Sequence, residues 1–278
     1  MSGLPQWLIK RTPKMENIRN IRSLIGDDVH TVCESAKCPN IGECYSCKTV
    51  TFMILGDVCT RNCGFCAVSK GSPSLPDPME PRKVAESSIK LGLKYVVITS
   101  VTRDDIPDGG AGYFAMTIRQ IKAVNPDTKV EVLIPDLKGN PDHLKVIIDA
   151  APDVLNHNVE MVPRLYKEVR PKSNYYTTIN LLKSAKKINK DLPLKSGFML
   201  GLGEKDDEVD MLMDELKKAG TDLLTIGQYI APSQEHAKVV EYVHPDKFDR
   251  HRNTAFKMGF KKVLSGPFVR SSYLAGNY

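Results

Sequence analysis

The sequence lacks any apolar run long enough to cross a bilayer. Its longest apolar runs, such as residues 95–98 and 197–202, are the length of β-strands, whereas a membrane-spanning helix needs about 20 apolar residues. Residues 1–11 also contain no apolar segment followed by a small-residue cleavage site, so we expect no signal peptide. These absences predict a cytoplasmic protein that has no membrane partner.

Cysteine is scarce, and its distribution argues against a disulfide scaffold. Only seven cysteines occur in 278 residues, and all of them lie within residues 33–66, six of them as two triplets. Secreted scaffolds are dense in cysteine along a short chain, so crowding at one end instead indicates a metal site in a reducing compartment. The six histidines are scattered and form no paired ligand spacing.

The sequence also lacks a large excess of positive charge, since its net charge of +6 is modest for 278 residues. It indicates mainly a solvated basic surface, with a docking face for an acidic partner as the alternative. Neither interleaved aromatic residues nor zinc-finger spacing accompanies the basic residues, so we expect no nucleic-acid partner. Nothing in the sequence indicates an obligate interface, and we expect a monomer.

What the sequence does contain is two cysteine triplets. The second triplet, Cys59, Cys63 and Cys66, has the spacing CxxxCxxC. Three thiolates can hold three corners of a four-iron, four-sulfur cubane. Such an arrangement leaves the fourth iron without a neighbouring protein ligand, which is an open position for chemistry.

The first triplet, Cys33, Cys38 and Cys44, also supplies three thiolates rather than four. Clustered thiolates select iron–sulfur clusters, zinc or cuprous copper. Structural zinc sites use four ligands, usually in closely spaced pairs, so iron–sulfur chemistry is the leading interpretation. Cys47 follows Cys44 by three residues and could supply a fourth thiolate, or it could be a bystander.

Strand and helix patterns alternate after the second triplet. Helical stripes such as Val209, Leu212, Met213 and Leu216 separate continuous apolar runs, which are typical of parallel strands buried on both faces. Because six strands are fewer than the eight of a closed barrel, the sequence predicts an α/β fold, an open, partial parallel (β/α)6 barrel. The predicted strands are residues 50–55, 95–100, 129–134, 154–159, 194–200 and 223–229.

We expect one structural domain that has two extensions. Residues 49–230 would form the partial barrel, residues 1–48 an N-terminal extension that carries the first triplet, and residues 231–278 a C-terminal extension. Both extensions are predicted to lie over the barrel mouth. Functional groups should gather there, because in barrels of this type they sit at the C-terminal ends of the strands.

The two triplets and their surroundings resemble a known family. The loop C-T-R-N-C-G-F-C resembles the radical S-adenosylmethionine (radical SAM) superfamily, and C-E-S-A-K-C-P-N-I-G-E-C resembles the auxiliary-cluster motif of its lipoyl synthases. The resemblance extends over nearly the whole chain. It includes T-S-V-T-R-D-D-I-P-D-G-G-A, N-H-N-V-E, R-L-Y-K-E-V-R-P and the C-terminal S-G-P-F-V-R-S-S-Y.

This resemblance implies two 4Fe–4S clusters, SAM and a sulfur-insertion reaction. SAM would occupy the open iron at the second triplet and be cleaved to a 5′-deoxyadenosyl radical. Two such radicals would abstract hydrogen from C6 and C8 of a protein-bound octanoyl-lysine, and the first-triplet cluster would donate the sulfur that completes the lipoyl group. Unactivated methylene groups are beyond acid–base chemistry by side chains, which agrees with a cofactor-derived radical.

The resemblance also implies roles for individual residues. Cys59, Cys63 and Cys66 would hold the radical cluster, and a serine of residues 270–273 would complete the auxiliary cluster of the first triplet. By position we expect that serine to be Ser272, with a catalytic as well as a ligand role. The residues expected to contact SAM lie in the cluster loop or after a strand: Phe65, Thr99, Ser100, Arg103, Asn158, Glu160 and Gly201.

The implied partners are an octanoylated lipoyl carrier domain or H-protein, an electron donor such as ferredoxin or flavodoxin, and iron–sulfur carrier proteins that rebuild the cluster. Two alternatives stay open at this point. One is another radical sulfur-inserting enzyme that resembles biotin synthase, and the other is a non-catalytic iron–sulfur or zinc protein. The order of the triplets and the R-S-S-Y segment favour the lipoyl synthases.

Overall fold

A mostly parallel sheet lies at the centre of the computed structural model, which describes residues 4–10 and 14–277. In chain order its strands are β1 (His30–Thr31), β2 (Thr51–Ile54), β3 (Val58–Cys59), β4 (Ser69–Lys70), β5 (Tyr95–Ser100), β6 (Lys129–Leu133), β7 (Val154–Asn156), β8 (Leu194–Leu200), β9 (Leu223–Gln228) and β10 (Lys262–Gly266). Eight of them form one sheet in the order β1-β2-β5-β6-β7-β8-β9-β10, and β3 pairs separately with β4. Within the described residues β1 and β10 do not pair, so the sheet stays open.

All six predicted strands are present and run parallel to one another. The bounds of β5 and β8 match the prediction to the residue, and both strands are buried along almost their whole length. Only β1 runs antiparallel, against β2. The α/β class and the open, partial barrel are confirmed.

The strand β10 was not predicted, and it makes a seventh parallel strand beside β9. Its sequence, K-V-L-S-G, buries only Val263, because β10 is the last strand of the sheet and has a neighbour on one side. Such a strand lacks the continuous apolar run that marked the other six. The C-terminal extension therefore contributes a strand to the sheet as well as covering it.

Ten α-helices occur in the described residues, and the larger ones follow the predicted stripes. The helix that covers the Val209–Leu216 stripe begins at Asp206 with three acidic residues in its first turn and has two lysines in its last, which complements the helix dipole. The helices are α1 (Met15–Ile25), α2 (Val32–Ser35), α3 (Ile41–Ser46), α4 (Glu80–Lys90), α5 (Ala111–Val124), α6 (Pro141–Asp149), α7 (Tyr166–Val169), α8 (Tyr175–Ile188), α9 (Asp206–Lys218) and α10 (Pro245–Lys257).

Two apolar clusters fill the space between the sheet and its helices. One cluster consists of buried residues between Ile21 and Leu194, mostly from the N-terminal half. The other consists of buried residues between Val159 and Val263, in the C-terminal half. Burial of this apolar surface holds the strand ends in fixed positions. No helix among the described residues is long and apolar enough to cross a membrane.

The boundaries at residues 48 and 230 stay a prediction. Residues 1–3 and 11–13, which belong to the predicted N-terminal extension, and residue 278 lie outside the described residues. After β10 the chain continues as a tail, residues 267–277, that turns back over the sheet. A Cβ added at Gly227 in β9 would overlap the carbonyl oxygen of Val269, which shows how closely the tail approaches that strand.

Candidate functional site

The second triplet lies in a loop that begins where β3 ends. Cys59 is the last residue of β3, and the pairing of β3 with β4 brings the two ends of the loop together. The backbone N–H of Gly71 donates to Cys59 O over 3.0 Å and strengthens this closure. Cys63 and Cys66 lie inside the loop as half-buried free thiols, so all three predicted ligands occupy one small loop.

A buried guanidinium in this loop ties it to two neighbouring loops. Arg61 pairs with Asp104, which follows β5, at 2.8 Å and with Asp136, which follows β6, at 2.5 Å. Burial alone would raise the pKa of Asp136, but the hydrogen bonds and charge of Arg61 bring it below its usual range. The sequence analysis missed this role of Arg61, because its partners are 43 and 75 residues away.

Backbone hydrogen bonds hold the other side of the loop. Gly64 N–H donates to Val169 O over 2.7 Å, and Ala237 N–H donates to Gly64 O over 2.8 Å. The ring of His236 lies 3.1 Å from Cys66 O, measured at Nε2. The cysteine loop is therefore fixed between residues before α8 and residues after β9.

Burial shapes the chemistry of the three thiols. Burial, with smaller contributions from the neighbouring Cys63, Cys59 and Glu160, raises the pKa of Cys66 to about 11. Burial also raises the pKa of Cys63, although a hydrogen bond and the charge of Arg170 act in the opposite direction. A metal must therefore displace protons from these thiols on binding, as is usual for thiolate sites.

Arg170 is a second functional residue that the sequence analysis missed. Its guanidinium contacts the Cys63 sulfur, donates to Tyr166 Oη over 3.2 Å and lies 3.4 Å from Val159 O. Its Nε is buried and has no hydrogen-bond partner among the described residues. The charge of Glu160 also acts on it. A buried cation with a free donor beside the cysteine loop can bind a carboxylate.

The predicted SAM contacts after β5 separate into two kinds. The Ser100 hydroxyl is buried and unpartnered in the described residues, so it is available to a ligand. Thr99 Oγ1 instead donates to Leu133 O over 3.0 Å, and Arg103 donates to Leu55 O, Ser74 O and both oxygens of Asp105. These two side chains hold the loop in place, and their donors are already used.

Asn158 and Glu160 lie beyond the end of β7, and the charge of Glu160 acts on Cys63 and Cys66 of the cysteine loop. Asn158 donates to Ser271 Oγ over 2.5 Å, and its own Oδ1 is buried without a partner in the described residues. Glu160 has a left-handed backbone, with φ of +69°. Such strain in a non-glycine residue is typical of functional sites. Burial raises the pKa of Glu160, while Arg170 and Asn158 lower it.

Gly201 and Phe65 occupy the edges of this region. Gly201 has φ of +102°, and an added Cβ would overlap Gln228 Nε2 and approach Glu241 O, so close packing already requires glycine there. The Glu204 carboxylate accepts from Gly201 N–H at 2.5 Å and closes the same turn. Phe65 packs as a half-buried ring against the C-terminal apolar cluster. Neither position contradicts a role beside the adenine.

The first triplet lies on two short helices and the turn between them. Cys33 is in α2, Cys44 is in α3, and Cys38 N–H donates to Cys33 O over 3.0 Å. Burial, with smaller contributions from Cys38 and Cys44, raises the pKa of Cys33 to about 12. The three free cysteines belong to one short segment, residues 33–44.

The tail closes the first-triplet site. Asn40 donates to Phe268 O over 2.7 Å, and Tyr273 Oη donates to Glu43 Oε1 over 2.7 Å. Lys10 adds a cation at this junction, because its Nζ lies 2.7 Å from Glu43 Oε2 and 4.5 Å from the centre of the Phe268 ring. Residues near both ends of the chain therefore meet beside the triplet.

The two serines of the tail have different surroundings. Ser271 Oγ accepts the hydrogen bond from Asn158, so it links the tail to the end of β7. The half-buried Ser272 lies between Ser271 and Tyr273, and no partner for its hydroxyl is found among the described residues. Its position is consistent with the predicted ligand role.

Both triplets pass a test of fit for four-iron clusters. Each site offers three free thiols, and the buried Nε of Arg170 beside the second triplet has no hydrogen-bond partner among the described residues. Within the described residues no three His, Cys, Asp or Glu side chains converge on a single metal ion. A cubane does not need such convergence, because each thiolate binds a different iron of the cluster.

Comparisons with known proteins agree with this arrangement. Residues 53–216 match the Radical SAM superfamily. The lipoyl synthase of Caldicellulosiruptor saccharolyticus is 52% identical over 272 residues, which cover 98% of this chain and 95% of that protein. The lipoyl synthase of Caldanaerobacter subterraneus subsp. tengcongensis is 51% identical over 271 residues, again with 98% and 95% coverage.

Solved structures share the fold at low sequence identity. The crystal structure of methylornithine synthase has a TM-score of 0.60 at 13% identity, covering 76% of this chain and 63% of that one. The crystal structure of Streptococcus suis SuiB bound to S-adenosylmethionine also has a TM-score of 0.60, at 10% identity, covering 81% of this chain and 53% of that one. These similarities concern the fold alone.

Proposed function

The chain belongs to the lipoyl synthases of the radical SAM superfamily, and we propose from this membership that it inserts two sulfur atoms into a protein-bound octanoyl-lysine. The sulfurs are added at C6 and C8, and the product is the lipoyl group. The observation that carries the proposal is 52% identity over 98% of this chain, combined with the presence of two cysteine triplets.

In this proposal the second triplet holds the radical cluster and the first triplet, with Ser272, holds the auxiliary cluster. When bound, the two clusters and SAM supply an electron, a hydrogen-abstracting radical and the inserted sulfur. The protein supplies binding and orientation, as it does for other cofactors that carry difficult chemistry. Arg61, Gly64 and Ala237 contribute by fixing the loop that carries the second triplet.

We assign the carboxylate of SAM to Arg170. This guanidinium is buried, contacts Cys63 and keeps Nε free, so a carboxylate there would gain a charge-assisted hydrogen bond in a site that excludes water. In this proposal, Ser100, Asn158 and Glu160 would contact the remaining polar parts of SAM, which is supported by the unpartnered atoms of Ser100 and Asn158 and the strained backbone of Glu160. Phe65 and Gly201 would contact the adenine, and Thr99 and Arg103 position the loop after β5.

A binding measurement tests the Arg170 assignment separately from catalysis. Arg170→Met should weaken equilibrium binding of SAM at least about tenfold, since truncating one partner of a buried charge pair costs about 2–5 kcal/mol. Arg164→Met is the matched control, because Arg164 is a half-exposed arginine that pairs with Glu208 instead. Equal affinities in the two variants would show that the carboxylate binds elsewhere.

The proposed substrate is an octanoylated lipoyl carrier domain or H-protein. Ferredoxin or flavodoxin would deliver the electron, and iron–sulfur carrier proteins would rebuild the auxiliary cluster after its sulfur is used. The proposal places the enzyme in the cytoplasm as a monomer.

An anaerobic assay tests the function directly. An octanoyl-lysyl peptide, SAM and dithionite are added to the cluster-loaded chain, and the peptide is analysed by mass spectrometry. We expect a lipoyl product, about two deoxyadenosines for each product, and no more than about one product for each chain when no carrier rebuilds the cluster. Cofactor cleavage without sulfur insertion, or many turnovers from the purified chain alone, would contradict the proposal.

A further inference from the structure

Cys47 is the cysteine that the proposed function leaves without a role. It caps the C-terminal end of α3, and its backbone N–H donates to Cys44 O over 3.1 Å. Side chains three residues apart on a helix project from the same face, with about 5–6 Å between their Cβ atoms. The two thiols are therefore neighbours, and Cys47 is the exposed member of the pair.

Electrostatics agree with this proximity. The pKa of Cys44 is raised to about 11, first by burial and then by Cys38 and Glu43, and the charge of Cys47 adds to the increase. The proximity itself rests on the backbone, because Cys47 ends α3 three residues after Cys44. Only one residue, the exposed Lys48, separates Cys47 from Thr49, whose N–H donates to Cys44 O over 2.8 Å.

The helix end can make the small adjustment that a disulfide needs. A disulfide requires Cβ atoms about 3.5–4.5 Å apart, somewhat closer than on a regular helix. Ser46, Cys47 and Lys48 are all exposed, so little packing opposes a shift at this end. Lys48 has φ of +53°, the left-handed conformation of a residue that ends a helix, and the chain changes direction there.

We propose that Cys44 and Cys47 form a disulfide whenever the first triplet holds no cluster, and that Cys47 thereby protects a cluster ligand from irreversible oxidation. The proposal rests on the proposed function only in taking Cys44 as a ligand. In a lipoyl synthase the auxiliary cluster is consumed, so the first triplet is emptied in each catalytic cycle. An emptied site exposes thiols that can be oxidised until iron returns.

A peroxide is the oxidant in the proposed reaction. One thiol of the pair gives up its proton and its sulfur attacks the peroxide O–O bond, forming a sulfenic acid and water. The other thiol then attacks that sulfur, and a second water leaves as the S–S bond forms. Two thiols and one hydrogen peroxide thus give one disulfide and two waters. A thiol reductant restores both thiols, whereas a sulfinic acid formed by further oxidation is irreversible in most proteins.

The test uses the full chain, anaerobically stripped of iron by a chelator and then exposed to hydrogen peroxide. Thiol counting should fall from seven cysteines to about five, since one disulfide removes two. Trypsin releases residues 38–48 as one peptide that contains Cys38, Cys44 and Cys47, and residues 23–37 as another that contains Cys33. We expect the first peptide to lose two hydrogens, and fragmentation to place the link between Cys44 and Cys47.

A pair of variants then measures protection. In Cys47→Ser, we expect several-fold more sulfinic acid at Cys44 and a smaller fraction of chains that regain about four irons at the first triplet after thiol reduction. Ser46→Thr is the matched control, because it alters the adjacent exposed side chain but keeps both thiols and the hydroxyl that lies 3.8 Å from the Cys47 sulfur. Cys33 in the same chain serves as an internal reference, since it has no thiol three residues away.

Two results would overturn the proposal: a link between Cys38 and Cys44, or equal sulfinic acid at Cys44 in the parent chain and in Cys47→Ser. Iron counting in Cys44→Ala tests the ligand role separately. Retention of both clusters in that variant would remove Cys44 from the proposed ligands, whatever the peptide analysis shows.

Discussion

The two cysteine triplets are held by different parts of the molecule. The loop of the second triplet is anchored by the buried Arg61, with 8% of its side chain exposed, and by backbone hydrogen bonds to Val169 and Ala237. The first triplet lies on short helices, and the Lys10–Glu43 ion pair beside it has 26% and 49% exposure. One site is built into the sheet scaffold, and the other is assembled from chain segments that meet at the surface.

This difference suits the two chemistries of the proposed function. A cluster that passes electrons repeatedly benefits from a fixed, dry environment, because hydrogen bonds and burial set its potential. A cluster that is dismantled and rebuilt needs ligands that can be reached from solvent. Partly exposed polar contacts permit such access, since each contributes little to stability.

The sharpest way to test this comparison is to remove each triplet in turn. Alanine at Cys59, Cys63 and Cys66 should abolish 5′-deoxyadenosine formation and leave about four irons bound. Alanine at all three positions of the first triplet should preserve cofactor cleavage and abolish sulfur insertion. Equal loss of SAM cleavage in both folded variants would contradict the assignment of cleavage to the second triplet and of sulfur insertion to the first.

Substitution of Ser272 in the tail should strongly slow lipoyl formation and leave SAM cleavage unchanged. A hydroxyl is a harder and weaker ligand for iron than a thiolate, so Ser272→Cys should retain both clusters and cofactor cleavage but slow lipoyl formation at least about tenfold (~1.4 kcal/mol). Ser271→Cys is the matched control, because Ser271 already bonds Asn158. Cys47→Ala should stay active.

Loss of the auxiliary cluster in Cys47→Ala would identify a thiolate as the fourth ligand. A block in Ser271→Cys, with normal activity in Ser272→Cys, would assign the ligand role to the other serine.

Removal of the buried Arg61 side chain should lower the free energy of unfolding of the whole chain. Arg61→Met leaves Asp136 buried and without its main partner, which typically costs about 3–5 kcal/mol. Chemical denaturation measures the loss. Arg82→Met removes the exposed Arg82–Glu86 pair, which has a similar distance of 2.8 Å, and should change stability by less than ~1 kcal/mol. Similar losses in both variants would show that burial of the pair does not matter.

The free energy of unfolding should also decrease at acid pH, because His157 is buried in its neutral form. Burial lowers the pKa of His157 from 6.5 to about 4, and its ring contacts Ile134 O and Thr178 Oγ1. Between these values the unfolded chain binds a proton that the folded chain does not, so stability falls as the pH decreases from 6.5 towards 4. The difference corresponds to roughly 3 kcal/mol.

His157→Gln should flatten the pH dependence of the unfolding free energy in this interval. An unaltered slope in His157→Gln would show that other groups cause the acid sensitivity.

The smallest effect is expected at Lys10. Lys10→Met breaks a half-exposed ion pair and should cost at most about 1 kcal/mol of global stability. It should nevertheless speed the loss of iron from the first triplet to a chelator, because Lys10 joins α3 to the tail. Lys145→Met, which breaks the exposed Lys145–Asp149 pair, is the control. An unchanged rate of iron release would show that Lys10 does not help to hold the first-triplet site closed.

The sequence predicted those parts of the molecule that depend on local patterns. Apolar runs located six strands, and the cysteine spacing located both triplets. Arg61 and Arg170 could not be found in this way, because a charged residue in a motif looks the same whether it faces solvent or a partner many residues away. Arg103 was expected near SAM, but its donors are occupied by Leu55, Ser74 and Asp105. The strand β10 was missed because it buries a single residue.

The meeting of the chain ends also sets an order of events during synthesis. The contacts Asn40–Phe268 and Glu43–Tyr273 span 228 and 230 residues. The loop of the second triplet is therefore translated long before the tail, whose residues Phe268 and Tyr273 complete the surroundings of the first triplet. In the proposed function, a chain truncated before the tail would contain the three cysteine ligands of the radical cluster but would lack Ser272, so the auxiliary site would be completed last.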